Sequence, residues 1–222
     1  MNLTNTSRNS FISAFRKAIL KFRLAYVRLM LRVSEKIIFE EFELYCLIAK
    51  ERDKFFEETK NALIFLKDND VEKFNKAKKY VNKIAYLSVG NNSYNSHLGM
   101  FIVDSYPEHN PLLYSSNIVH EAEHADLFSR GHEYNATTAH QHEIRCTEEQ
   151  RKYVINAIQK SCPLDEAEKN KTITEWNQWF DEMIKTEWWT QKNIRARTNS
   201  RLRRLLGEFG KEFIKASKDK KV

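Results

Sequence analysis

Residues 120–124 read His-Glu-Ala-Glu-His, two imidazoles four positions apart with a carboxylate beside the first. On a helix, positions four apart share a face, so His120 and His124 can aim ring nitrogens at one ion about 2.0–2.1 Å away. Glu121 is rotated by about 100° around the helix, close enough to reach a water held by that ion. Zinc lowers the pKa of such a water towards about 7, and a neighbouring carboxylate can take its proton as it attacks a carbonyl carbon. The spacing nominates His120 and His124 as metal ligands, Zn2+ as the cofactor and Glu121 as general base. All seven histidines, His97, His109, His120, His124, His132, His140 and His142, fall within one 46-residue window. Histidine is the commonest metal ligand and proton shuttle, so this clustering points to a site in that window.

The elements that must hold these residues are set by glycine, proline and apolar spacing. The first glycine is Gly90 and the first proline Pro107, so nothing earlier forces a helix to stop. Ile12, Phe15, Ile19, Phe22, Tyr26, Leu29 and Val33 recur at spacings of three and four, predicting a long helix whose seam packs on another helix. It continues or turns back through Ile37, Phe42, Tyr45 and Ile48. A turn at 67–70 precedes a second helix marked by Val71, Phe74, Ala77, Val81 and Ile84. Ala85–Val89 and Leu98–Val103 read as two short strands joined by a turn around Gly90-Asn91-Asn92. The helix bearing the histidines is expected to start near Ser115 or Ser116, either able to cap it, and to end near Gly131. Thr138 with Gln141 reads as a capping box opening a helix over about 139–160, before Pro163. A last helix over 164 to about 190 carries Trp176, Trp179, Phe180, Met183 and Ile184 at helical spacing, a core stripe together with Trp188 and Trp189.

A helix with His-Glu-x-x-His after a short sheet, then a second helix with an acidic residue, resembles the zincin metallopeptidases over roughly residues 84–160. Within them it is similar to the gluzincin arrangement, in which a downstream Glu is the third ligand. The resemblance implies zinc on His120 and His124, with Glu121 as base. It also implies a third ligand, best matched by Glu143, 19 residues beyond His124, with His140 and His142 as alternatives. The chain departs from the family at Glu123 and Asp126, where uncharged and hydrophobic residues are usual. Asp126 reads as an exposed helix-surface charge, its alternative being to orient a histidine ligand. The metzincin extension is absent, since Leu127 and Arg130 occupy its positions. His132, Tyr134, Arg145 and Tyr153 are candidates to stabilise an oxyanion. Strand Leu98–Val103 is the candidate edge for pairing with an extended peptide, left open by Gly99 and Met100.

A 41% apolar and 12% aromatic composition argues against disorder. Cys46, Cys146 and Cys162 lie too far apart for a Cys-x-x-Cys motif, and an odd number fits reduced thiols. The longest apolar run among the first 34 residues is Leu24–Val27, too short for a secretory signal, and no stretch is a membrane span. A cytoplasmic location is therefore expected, with delivery by a specialised secretion route as the alternative. Residues 1–34 carry seven basic and no acidic residues before Glu35, and residues 192–222 carry eleven basic and three acidic. These basic arms nominate anionic partners, a membrane surface or nucleic acid, or fold back on the acidic middle.

The expected fold is α+β and mostly helical, a small antiparallel sheet beside a two-helix zinc site with long flanking helices. The expected parts are a helical-hairpin scaffold over 1–83, a zincin-like catalytic core over 84–162, and C-terminal helices with a basic tail over 163–222. The expected activity is zinc-dependent hydrolysis of peptide bonds in a peptide or protein substrate. Other zinc amide hydrolases, namely an amidase or a toxin-like zincin effector, and a non-enzymatic interaction protein using the basic arms are the alternatives.

Overall fold

Strict alternation governs residues 42–46: Phe42, Leu44 and Cys46 are buried, while Glu43 and Tyr45 between them are only half-buried. Period two is the strand signature, and it prevails where a helix is expected from Ile37, Phe42, Tyr45 and Ile48. In the computed structural model, strands β1 (Glu35–Phe39) and β2 (Phe42–Cys46) form an antiparallel hairpin. The structure describes residues 24–185 apart from 88–91, 105, 107 and 136, together with 18, 21 and 22. Glu40 and Glu41 make the hairpin's two-residue turn with φ of 50° and 70°, a left-handed pair that ordinarily selects glycine or asparagine. Lys67 Nζ bonds Glu40 and Lys78 Nζ bonds Glu41, each at 2.9 Å, pinning the turn to the helices beneath it.

A 3-10 turn (Ala49–Glu51) leads into α2 (Arg52–Asn69) and α3 (Val71–Tyr80), preceded by a helix over residues 24–33, here α1. The turn expected at 67–70 shrinks to one residue: 67–69 finish α2, and Asp70 caps α3, its Oδ1 accepting from the Lys73 amide at 3.0 Å. Strands β3 (Lys83–Tyr86), β4 (Ser93–Asn95) and β5 (Met100–Val103) complete a sheet of order β1-β2-β3-β5-β4. The sheet is mixed rather than antiparallel throughout. The β2–β3 and β3–β5 pairs are parallel, and β1 and β4 are the antiparallel edges. The β2–β3 pair is parallel because α2 and α3 carry the chain across between them, as parallel neighbours require. Strand β4 lies in the stretch expected to be only a turn-rich loop.

One sheet face, with Phe42, Leu44, Ile84, Phe101 and Val103, joins the main core with Phe55, Leu63, Phe74, Ile118 and Tyr153 from the helices. Residues 35–83 and 84–162 therefore share one sheet and one core. The other face, Ala85, Leu87, Met100 and Ile102, is packed by Val27 and Leu31 of α1. The stripe expected to be α1's seam points outward instead, with Phe22, Leu29 and Val33 exposed at 60%, 53% and 65%. A sheet rather than a second helix is the packing partner, so an i,i+4 pair suffices. Ile12, Phe15 and Ile19 lie outside the described residues.

The two site helices are α4 (Pro111–Ser129) and α5 (Ala139–Ser161), followed by α6 (Glu166–Lys185). Helix α4 starts a turn before Ser115, because Asn110 accepts from the Leu113 amide at 2.9 Å and Pro111 fits the first helical position. Ser115 and Ser116 are wholly buried inside it. Gly131 closes the end with φ of 83°. Thr138 stands at the start of α5 as expected, but its side chain makes no cap; its hydroxyl bonds the Glu133 carbonyl instead. On α6, Phe180 is fully buried against Trp176 while Trp179 is 40% exposed. Trp188 and Trp189 lie outside the described residues. The fold is α+β and mostly helical.

Candidate metal and catalytic site

Ile118, Val119, Ala122 and Ala125 turn one side of α4 into the core, and His120 and His124 occupy the stripe that faces α5. Their Nε2 atoms are 3.2 Å apart. From α5, Glu143 Oε2 lies 3.2 Å from His120 Nε2 and 3.4 Å from His124 Nε2. Three donors bound tetrahedrally at about 2.05 Å stand about 3.3 Å from one another, so this triangle has the size of one face of a zinc coordination shell. Cys146, one turn further along α5, brings a sulfur within 4.8 Å of donor atoms on both histidines. The group His120, His124 and Cys146 can hold a metal ion, and Glu143 meets the same two imidazoles at shorter range.

Electrostatics couple these groups. Burial works against the charged form of His120, but the hydrogen bond and charge of Glu143 outweigh it and raise its pKa. Burial alone would raise the Glu143 carboxyl, yet bonds from both imidazoles hold it well below the usual carboxylate range. The Cys146 thiol is pushed far up by burial and by the charges of Glu143 and Glu121, so it is a neutral thiol unless a cation approaches.

Glu121 points to the sheet. It is 8% exposed, and its Oε2 accepts from the Tyr94 amide of β4 at 2.5 Å. Tyr94 pairs with Phe101 in register, but its N–H leaves the ladder and turns to α4. The carboxylate thus sits against the edge strand β4. The expected edge strand is corrected by this arrangement: β5 is interior, flanked by β3 and β4, with Met100, Phe101, Ile102 and Val103 all buried. Gly99 belongs to the turn before it, at φ of 61°.

Of the four candidates for oxyanion contact, Tyr134 reaches the site. Its hydroxyl donates to Glu143 Oε1 at 2.7 Å, and its ring stands edge-on to His124 at 5.4 Å. His132 is exposed, its ring 6.4 Å from that of His142. Arg145 turns away to bond Glu123 Oε1 at 2.8 Å, and Tyr153 is fully buried with its hydroxyl 2.8 Å from Ser115 Oγ. Of the alternative ligands, His140 is exposed on α5, and His142 is buried, its ring stacked 6.3 Å from His124. Burial lowers the His142 pKa and favours its neutral form.

Asp126 is 1% exposed, not a surface charge, and its partners, like those of Glu123, are cations rather than histidine ligands. Lys76 of α3 bonds both carboxylates, Arg130 bonds Asp126, and Arg145 bonds Glu123. Three contributors had no place among the sequence candidates: the Cys146 sulfur, the Gln150 side chain behind His120 and the Tyr94 amide. The first two share a helix face with Glu143 at spacings of three and seven, a readable signal once Glu143 is chosen. A backbone amide carries no such signal.

No protein-family model, curated protein or solved structure matches this chain.

Proposed function

We propose that this protein is a zinc-dependent peptidase of the zincin kind, similar to the gluzincins, with His120, His124 and Glu143 as zinc ligands and Glu121 as general base. One observation carries this reading: three donor atoms stand 3.2–3.4 Å apart, next to a carboxylate lodged at the edge of a sheet. The donor chemistry fits zinc, two imidazole nitrogens and one carboxylate oxygen leaving a fourth position open. When bound, the ion supplies Lewis acidity, which lowers the pKa of water and polarises a carbonyl. Glu121 takes the proton from the attacking water and later delivers it to the departing amine nitrogen, so the carboxylate ends as it began. Tyr134 orients Glu143 through Oε1, and its single hydroxyl hydrogen is used in that bond. Strand β4 is an edge strand of the sheet and lies beside Glu121, the arrangement that strand addition of an extended peptide uses, which favours peptides over small amides as substrates.

Replacing Glu121 by Gln is the direct test. Zinc content by elemental analysis should stay at wild-type level while turnover of a peptide library falls by about 10²–10⁴-fold. Equal turnover in both proteins sinks the assignment. The position of Cys146 favours a second reading, a closed structural site with four protein donors and no place for water. A Cys146→Ala protein that keeps both zinc and turnover rejects it.

A further inference from the structure

Gln150 is 3% exposed and lies on α5 one turn beyond Cys146, behind the ring of His120. Its Oε1 is 3.2 Å from His120 Nδ1, and its Nε2 donates to Ser116 Oγ at 3.0 Å and to Asn117 Oδ1 at 3.2 Å. The direction of these bonds follows from counting protons. Ser116 has one hydroxyl hydrogen and gives it to the Leu113 carbonyl at 2.8 Å. Its oxygen is then left to accept, so the atom facing it is the amide nitrogen of Gln150 and not the amide oxygen. Oε1 therefore faces His120. An amide oxygen only accepts, so His120 Nδ1 must carry a hydrogen. A neutral imidazole with its hydrogen on Nδ1 has its lone pair on Nε2, the atom 3.2 Å from both His124 Nε2 and Glu143 Oε2.

We infer that Gln150 is the positioning residue of the site, holding His120 in its Nδ1–H form so that Nε2 is presented to a cation. The inference rests on the metal reading above: geometry places a hydrogen on Nδ1, while the Glu143 carboxylate facing Nε2 also attracts a hydrogen there until a cation takes its place. Helix α5 thereby supplies one metal donor, Glu143, and also the group that readies a donor on α4. Metal affinity becomes coupled to how α4 and α5 are packed, since Gln150 reaches Ser116 and His120 on successive turns of α4.

The test compares the full-length wild type with Gln150→Met, which fills the same space without an acceptor, and Gln150→Glu, which keeps one. Long-range proton–nitrogen NMR of the metal-free proteins, followed over a pH series, reads which ring nitrogens of His120 carry hydrogen. Competition with a chromogenic chelator reads zinc affinity. Wild type should show Nδ1–H at His120, and Gln150→Met should shift it towards the Nε2–H form. Gln150→Met should also lower zinc affinity by about 10–100-fold, while Gln150→Glu stays near wild type. A wild-type ring with hydrogen on Nε2 and none on Nδ1 overturns the inference, as does unaltered zinc affinity in Gln150→Met. Equal losses in both variants assign Gln150 to packing alone and overturn it as well. A wild type that takes up no zinc defeats the metal reading, and the NMR result then decides the position of the proton independently.

Discussion

Single side chains at the centre divide the work between donating and orienting. Glu143 shows both sides: Oε2 faces the two imidazoles while Oε1 is occupied by the Tyr134 hydroxyl at 2.7 Å. Tyr134 is 45% exposed, so removing its hydroxyl opens no cavity and leaves the fold alone. Tyr134→Phe should therefore lower zinc affinity by about tenfold or more through loss of orientation, with the unfolding temperature unchanged. Chelator competition beside a thermal melt checks both halves. Glu143→Ala removes the donor itself and should leave purified protein with sub-stoichiometric zinc by elemental analysis. Zinc retained at one equivalent in that variant would pass the donor role to Cys146.

Three helices are tied together by charge around Glu123 and Asp126 of α4. Glu123 and Asp126 are 2% and 1% exposed, and cations from α3, α4 and α5 close over them. A buried carboxylate that loses a partner is costly, whereas exchanging the whole group for apolar residues is often neutral or favourable. Lys76→Met alone should destabilise the protein by about 1–3 kcal/mol, since the arginines still partner both acids. The triple change Lys76→Met, Glu123→Leu and Asp126→Leu should recover most of that loss. Urea unfolding of the two proteins measures the difference, and a triple variant less stable than the single one would refute the clamp. These acids are also where the sequence departs from the zincin pattern, and Lys76 and Arg145 supply a physical reason for the departure. The site's helices were legible in the sequence because Gly131 and Pro163 punctuate them, although Pro111, expected in a loop, is the first residue of α4. The β1–β2 hairpin was not, because Ile37, Phe42, Tyr45 and Ile48 satisfy helical spacing as well as alternation does.

At the scale of the whole molecule, acid stability and metal binding are the accessible readouts. Burial would raise the Glu149 pKa, but Lys152 and Lys73, each 2.7 Å away, outweigh it and hold the carboxyl at about 2 against an ordinary 4.5. A depressed folded-state pKa contributes stability that is present above the unfolded value and is lost as pH falls through the folded one. The Glu149 contribution should therefore disappear between about pH 4.5 and about pH 2, loosening the α3–α5 link. In Glu149→Gln, that part of the acid dependence should be flattened in a pH series of urea melts. An ion that binds only the folded chain stabilises it by mass action, by about 4 kcal/mol at a thousand times its Kd. Zinc should accordingly raise the calorimetric unfolding temperature and a chelator should reverse the rise.

The sequence by itself determined the chemistry-bearing helix, because a four-residue spacing puts His120 and His124 on one face wherever that helix lies. It also marked the second helix by local punctuation, while Glu143 upon it came from the resemblance to gluzincins, with His140 and His142 as the alternatives. Tertiary structure decided what approaches that face: Glu143 at 3.2–3.4 Å, Cys146 beside it, Gln150 behind it, and the Tyr94 amide of an edge strand against Glu121. It likewise decided that Arg145 and Tyr153 serve the packing and not the site. Local sequence fixes which way a side chain leaves its own helix, whereas the neighbour it meets depends on helix crossing and sheet order, which long-range packing sets.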